Sequence, residues 1–207
     1  MIKRLTWKVI VGVLFVVSVS SCIQEKPLKI YGERDVVGGD TIYHTVRPFQ
    51  FVDQDSTIIT RETVDGKIYV ADFFFTSCRT ICPIMKTQML RVYDEYKDDT
   101  DVMILSHTID PEYDTVGLLK DFADRLGVSS KSWHFLTGSK DSIYTMAEKS
   151  YFVTALEDNA EPDGFIHSGA FILVDRKQRI RGIYDGTKSE DVDRLIKDIA
   201  RLKNEKA

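Results

Sequence analysis

Two cysteines that are separated by three residues carry the most reactive side chains of this sequence. Cys78 and Cys82 lie in the segment FFTSCRTICP. Thiolates bind soft metal ions and attack disulfides. Because copper(I) is satisfied by two or three soft ligands whereas zinc usually takes four, one added imidazole would complete a copper(I) site here. The alternative is a plain stabilising disulfide, whose short loop would gain little chain entropy.

The residues around the pair predict reactive thiols. Pro83 suits the first position of a helix, so we expect the helix to begin there. The proline also disfavours a helical conformation at Cys82, which predicts that both cysteines lie on the preceding loop. The positive end of the helix dipole and the charge of Arg79 both favour thiolate, so we expect lowered cysteine pKa values.

Four histidines could supply an imidazole. His134 lies among the aromatic residues of a short strand and His44 in an N-terminal hairpin, so a structural role is expected for the first and a surface position for the second. His107 ends a buried strand, at the edge where functional groups of such sheets gather. His167 begins a strand after a polar loop. The residues alone leave it open whether His107 or His167 is a ligand.

The elements that would position these side chains alternate between strands and helices. Lys67–Phe75 is almost continuously apolar, which predicts a central strand that is buried on both faces. The alternating order implies a central sheet with helices on both faces, and segment 36–60 predicts a hairpin before it. Further strands are expected at 102–105, 133–136, 165–174 and 179–184, and helices at 83–96, 115–126 (capped by Asp114 and closed by Gly127), 139–149 and 189–202.

The N-terminus has the pattern of a targeting segment. Lys3, Arg4 and Lys8 precede the apolar run Val9–Val19, which is too short for a comfortable transmembrane helix of about 20 residues. Small residues then precede Cys22, as in a lipoprotein cleavage site. We therefore expect a lipid on Cys22 that holds the protein on a membrane surface. The alternative is an uncleaved signal anchor in which the cysteine occurs by chance.

This pattern predicts three parts of the chain and its location. Residues 1–21 would be a signal peptide, 22–35 a tether and 36–207 the folded domain. The domain would be extracytoplasmic, on the periplasmic side, where the environment is oxidising. The net charge of −4 and the absence of a basic patch with interleaved aromatic residues argue against a nucleic-acid partner.

Four motifs resemble those of the Sco/SenC family of copper proteins, over roughly residues 45–203. The resemblance implies an α/β, thioredoxin-like fold, with a central mixed sheet, helices on both faces and an N-terminal β-hairpin extension. It also implies copper, as Cu(I) or Cu(II), bound by Cys78, Cys82 and His167. Arg79 and Ile166 depart from the proline and the acidic residue that are common in the family. The motifs are Phe75–Pro83, Ile109–Thr115, Trp133–Gly138 and His167–Ser168.

The same resemblance implies a role at the dinuclear copper site of cytochrome c oxidase. The partners would be an apo copper subunit of a respiratory oxidase and other copper carriers or thiol reductases. The leading hypothesis is a copper(I) carrier without enzymatic turnover. The second is a thiol-disulfide oxidoreductase. A thiol peroxidase is disfavoured, since those enzymes usually place threonine or proline just before a single cysteine.

Asp72 bears on the choice between these hypotheses. It is a carboxylate within the apolar strand, six residues before Cys78, where thioredoxins carry an aspartate that assists proton transfer. Because burial of a carboxylate is costly and raises its pKa, a functional role as proton acceptor is reasonable in the redox hypothesis. The alternative is a carboxylate on a partly wet face of the strand.

Overall fold

The computed structural model describes residues 26–157 and 165–205, and the side chains of 155–157 and 165–167 lie outside its description. Within these ranges no helix combines the length and the apolar character needed to span a bilayer. The strands, in chain order, are β1 (Arg34–Val37), β2 (Asp40–Tyr43), β3 (Gln50–Val52), β4 (Ile58–Thr60), β5 (Ile68–Phe74), β6 (Val102–Thr108), β7 (Trp133–Leu136), β8 (Ala155–Glu157), β9 (Phe165–His167), β10 (Ala170–Val174) and β11 (Ile180–Asp185). The α-helices are α1 (Cys82–Tyr96), α2 (Val116–Leu126), α3 (Lys140–Ser150) and α4 (Ser189–Asn204), and a 3-10 turn covers Glu62–Val64.

A mixed five-stranded sheet forms the centre of the domain, in the order β11-β10-β5-β6-β7. Strands β5, β6 and β7 are parallel, and β10 runs antiparallel to both β5 and β11. All seven residues of β5 are buried, which confirms the central strand that its apolar run predicted. The cysteines follow the carboxyl end of this strand. The pairs β1–β2, β3–β4 and β8–β9 form separate two-stranded hairpins.

Helices cover both faces of the sheet, as predicted. Lys86 of α1 contacts Asp72 of β5, and Tyr96 of α1 donates to the Ile196 carbonyl of α4 at 2.8 Å, so α1 and α4 share one face. Neighbouring residues of a strand point to opposite faces. Phe73 accordingly packs on the other side, where its ring lies 5.8 Å from that of Tyr151 at the end of α3.

Three of the differences from the expected boundaries bear on the site. Strand β6 continues to Thr108, because Ser106, His107 and Thr108 are buried although they are polar. The predicted strand 165–174 is divided into β9 and β10. Helix α1 begins at Cys82 and not at Pro83; a proline within the first turn removes no helical hydrogen bond, because that N–H has no partner inside the helix.

The cap of α2 also differs from the expectation. Thr115 is the N-cap, and its hydroxyl accepts from the Leu118 amide at 3.3 Å. Asp114 is fully buried and binds elsewhere, as described below. Gly127 closes the helix as predicted, with a φ of 70° that a residue without a side chain adopts easily.

Candidate metal centre

Cys78 and Cys82 lie together at the carboxyl end of β5. The Cys78 amide donates to the Phe75 carbonyl at 3.3 Å, which turns the loop back towards α1. Cys82 is the first residue of α1. Both side chains are almost completely buried, with 8% and 4% of their surface exposed. The prediction that the loop leads onto a helix N-terminus is confirmed for Cys78, whereas Cys82 belongs to the helix itself.

The two thiols are reduced and contact each other. The Cys82 amide donates to Cys78 Sγ at 3.4 Å, and Thr80 Oγ1 lies 3.6 Å from the same sulfur. A side-chain hydrogen bond to Cys78, together with burial, raises the pKa of the Cys82 thiol well above its ordinary value. This is opposite to the lowering expected from the sequence, because the effect of Lys86 does not offset these two causes. Cys82 is therefore a protonated thiol at neutral pH.

A buried ion pair lies behind the cysteine-bearing turn. Asp72 is fully buried and accepts from Lys86 Nζ at 2.8 Å. Its other oxygen accepts from the Ser106 hydroxyl, and Ser106 in turn accepts from the Trp133 indole at 2.9 Å. The alternative of a partly wet face for Asp72 is thus wrong. The carboxylate is buried with an ammonium partner and a hydroxyl donor, which together offset the cost of burial.

Lys86 is a residue that the sequence reasoning missed. Only 4% of its surface is exposed, and its ammonium lies 4.1 Å from the centre of the Phe74 ring. The signal in the sequence was its position four residues after Cys82, on the same face of the helix and between the core residues Met85 and Met89.

Asp114 holds the strand end that leads into the cysteine loop. Its carboxylate accepts from the Thr76 amide at 3.0 Å and from the hydroxyls of Thr76 and Thr108. Thr76 lies two residues before Cys78, and Thr108 ends the neighbouring strand. Asp114 therefore fixes the start of the loop to the adjacent strand, which explains why this residue is buried and does not cap α2.

Replacement of Asp114 by alanine is expected to lower the free energy of unfolding by about 2–3 kcal/mol, because three buried or half-buried donors lose their acceptor. The exchange of the Thr76 amide with solvent should accelerate as well. Chemical denaturation and hydrogen exchange measure the two effects. Glu112→Gln is the control, since Glu112 is an exposed acid of the same loop. Equal stability of the two variants would contradict this role.

The backbone of His167 lies in β9, opposite Ala155 of β8. Its side chain belongs to those outside the description, so its distance to the sulfur atoms remains a prediction. The chain just after it does approach the cysteine turn: a methyl group built on Gly169 would lie 3.5 Å from Ile81 Cδ1. Among the described residues, no three His, Cys, Asp or Glu side chains cluster as a metal site.

The other histidines have partners or positions away from the sulfurs. His44 Nε2 lies 2.9 Å from the Ser150 carbonyl, and His134 Nδ1 lies 2.9 Å from Asp53 Oδ2. His107 is fully buried and stacks on Phe73, with ring centres 5.1 Å apart. Since Phe73 faces away from α1, His107 lies on the face of the sheet opposite to Cys82.

His107 predicts a pH dependence of stability. Neither ring nitrogen has a hydrogen-bond partner within the described part, and burial lowers the pKa of this imidazole from 6.5 to about 3. As the pH falls, His107 thus binds a proton near pH 6.5 in the unfolded chain, but only near pH 3 in the folded chain. Stability should fall by about 2–3 kcal/mol between pH 6.5 and 4.5. His107→Phe should flatten this slope in denaturation experiments; an unchanged slope would contradict the assignment.

Cys22, the predicted lipid site, lies outside the described residues. The described part of the predicted tether is not extended away from the domain. Leu28 and Tyr31 pack against the core, and the Tyr31 amide donates to the Ile180 carbonyl at 2.9 Å.

Similar proteins place this arrangement in a family. A family model described as SCO1/SenC matches residues 39–204. A SCO1/SenC family lipoprotein from Bacillus anthracis has a TM-score of 0.71 and 28% identity, with 77% of this chain and 95% of that chain covered. BsSco is described as a protein with a disulfide switch and as a member of the Sco family of cytochrome c oxidase assembly proteins. Its structure has a TM-score of 0.68 and 35% identity, with 79% of this chain and 95% of that chain covered.

A third similar structure is Arabidopsis thaliana ScoI with copper bound, with a TM-score of 0.62 and 25% identity over 76% of this chain and 99% of that chain. These likenesses confirm the thioredoxin-like α/β fold with its N-terminal hairpin. The matched region contains both cysteines, the buried aspartate and the strand that carries His167. The chain belongs to the SCO1/SenC family.

Proposed function

We propose that this protein is a copper(I) carrier for the assembly of the dinuclear copper site of cytochrome c oxidase. The observation that carries the proposal is the pair of reduced, buried thiols, of which Cys82 hydrogen-bonds to Cys78 through both its amide and its side chain. Two soft donors are thus held together before any ion arrives.

The donor set fits copper(I). Cys78 and Cys82 would bind it as thiolates, so uptake of the ion releases the proton of the Cys82 thiol. His167 would supply the third, imidazole ligand. In support, Gly169, two residues later, lies near the cysteine turn, since a methyl group built on it would be 3.5 Å from Ile81 Cδ1. Burial of the sulfurs limits access of water and oxidants, which suits an ion that must be transferred intact. Copper here is cargo and not a cofactor of turnover.

The partners follow from this role. An apo copper subunit of a respiratory oxidase would receive the ion, and other copper carriers or thiol reductases would load or reduce the site. The protein would act outside the cytoplasm, on the periplasmic side, anchored by a lipid on Cys22 after removal of residues 1–21. The similar Bacillus anthracis protein is described as a lipoprotein, which supports the anchor.

A thiol-disulfide oxidoreductase is the second candidate, since neighbouring thiols can also form a disulfide. In that reaction Cys78 and Cys82 would lose two electrons and two protons while a partner disulfide is reduced to two thiols. The similar BsSco structure is described by a disulfide switch, which supports this candidate. Asp72 would accept a proton only after a rearrangement, because it is engaged with Lys86.

One substitution discriminates the two candidates. His167→Ala should weaken copper(I) binding about 100-fold or more, by the loss of one ligand, and should leave the rate of disulfide exchange unchanged. Competition with a chromophoric copper(I) chelator measures the first and a thiol-exchange assay the second. His44→Ala is the control, because the His44 ring lies at the Ser150 carbonyl, at the end of α3, and not at the cysteine turn. Unchanged copper affinity would favour the redox candidate.

The test in the cell is deletion of the gene under copper limitation. We expect an oxidase whose dinuclear copper site is depleted, with recovery when the wild-type gene is returned and none with Cys78→Ser. Full occupancy of that site in the deletion strain would contradict the proposed function.

A further inference from the structure

A short segment before the first strand is docked onto the domain. Arg201 donates to the Lys26 carbonyl at 2.8 Å, and the Leu28 amide donates to Glu205 at 2.9 Å. Arg181 donates to the Leu28 carbonyl at 2.7 Å. Arg181 is itself buried between carboxylates, so its guanidinium is held in place for this contact. We call residues 26–31 the docked segment.

The docked segment lies at the edge of the sheet opposite to the cysteines. The amide of Tyr31, its last residue, donates to the carbonyl of Ile180, the first residue of β11. Val174 of β10 lies opposite Ile180. Val174 pairs with Tyr69, the second residue of β5. Cys78 follows the other end of that strand. Since β5 has seven residues at about 3.3 Å each, about 20 Å of strand separates the two edges.

The docking shortens the reach of the predicted anchor. Cys22 precedes Lys26 by four residues, so at most about 14 Å of fully extended chain separates the predicted lipid site from the docked segment. A free tether of residues 22–35 would instead let the domain turn in any direction. The lipid must therefore enter the membrane beside the amino edge of the sheet.

This edge exposes lysines and apolar groups that a bilayer surface would cover, together with the carboxylates of Glu33, Asp35 and Asp40. Lys26, Lys29 and Lys177 are exposed, and none has a carboxylate partner in the part of the chain that the structure describes. Hairpin β1–β2 follows the docked segment and exposes 72% of Val36 and 54% of Ile42. The chain returns from it to the same edge, where the Val46 amide donates to the Gln178 carbonyl at 2.8 Å.

We propose that the docked segment makes the lipid anchor a short mount, which holds the amino edge of the sheet against the bilayer and turns the cysteine loop away from it. The exposed lysines would meet lipid phosphates, and the hairpin would lie in the interfacial region. The metal centre would then face a partner domain that projects from the membrane, and not the membrane itself. The proposal rests on lipidation of Cys22, as proposed above, and not on copper transfer.

The orientation can be measured with nitroxide labels on the lipidated protein. Lys177→Cys places a label at the amino edge and Tyr113→Cys places one on the loop after β6 at the opposite edge, both in a Cys78→Ser/Cys82→Ser background. The protein is bound to vesicles of phosphatidylethanolamine and phosphatidylglycerol that contain a nickel-chelating lipid. Spin relaxation by nickel should be at least several-fold stronger at 177 than at 113. Equal relaxation at the two positions would overturn the proposal.

Three further measurements test the steps of the proposal separately. Leu28→Asp should break the dock and equalise the two labels, whereas an unchanged difference would show that the docked segment does not orient the domain. Amides of Leu28 and Tyr31 should be protected from hydrogen exchange in the soluble domain, and free exchange would overturn the dock itself. Mass spectrometry should find the lipid on Cys22, and its absence would overturn the proposed orientation. Copper binding is measured on the soluble domain, so the proposed function is tested independently of the anchor.

Discussion

Replacement of Cys78 by serine is expected to weaken copper(I) binding by at least about a thousandfold, which corresponds to about 4 kcal/mol. A serine hydroxyl is a hard donor that does not ionise at neutral pH, so it cannot replace a soft thiolate. The Cys82 amide and thiol also lose the sulfur that they contact. Competition with a chromophoric copper(I) chelator, under anaerobic conditions, measures the affinity.

Ser77→Ala is the matched control, since Ser77 is the exposed neighbour in the same loop. We expect it to bind one copper per chain with the wild-type affinity. Thermal unfolding of both variants checks that the fold survives. Tight copper binding by the Cys78→Ser variant would exclude the cysteine pair as the metal centre.

The second large effect is expected at the buried ion pair behind the centre. Lys86→Met leaves the Asp72 carboxylate buried with only the Ser106 hydroxyl, and should lower the free energy of unfolding by about 3–5 kcal/mol. The double variant Asp72→Leu/Lys86→Met removes both charges from an apolar surrounding. It should recover most of this loss, because an apolar pair of similar volume has no charge to desolvate.

The control lies on the same helix. Lys97, at the C-terminal end of α1, forms an exposed ion pair with Asp94 at 3.1 Å, so Lys97→Met should change stability by less than about 0.5 kcal/mol. Urea denaturation of the four proteins measures the differences. If Lys86→Met is as stable as Lys97→Met, the buried charge pair does not have the energetic role assigned to it.

The fold could be predicted from the sequence where hydrophobic pattern alone decides. The run Lys67–Phe75 can only be covered on both faces, and the alternation of strands and helices then fixes a central sheet. The pattern was insufficient where tertiary contacts override it. Strand β6 runs through Ser106 and His107 because Asp72 and Phe73 of the neighbouring strand give these polar side chains a buried surface to pack on.

The site could be predicted only where a local sequence pattern marks its residues. Spacing identified Cys78 and Cys82, and an aspartate within an apolar strand identified Asp72. The partner of Asp72 is 14 residues away on α1, and the groups that bind Asp114 lie 6 and 38 residues away. No local pattern shows such pairs. The raised pKa of Cys82 was missed for the same reason, since it depends on a sulfur contact and on burial that only folding creates.

The central claim is that one imidazole completes a site made by two sulfurs. X-ray absorption at the copper edge of the copper(I)-loaded soluble domain tests it most directly. We predict two sulfur ligands and one imidazole nitrogen, with loss of the nitrogen in His167→Ala and its retention in His107→Phe. A spectrum with sulfur ligands alone, or one that His167→Ala leaves unchanged, would contradict the account.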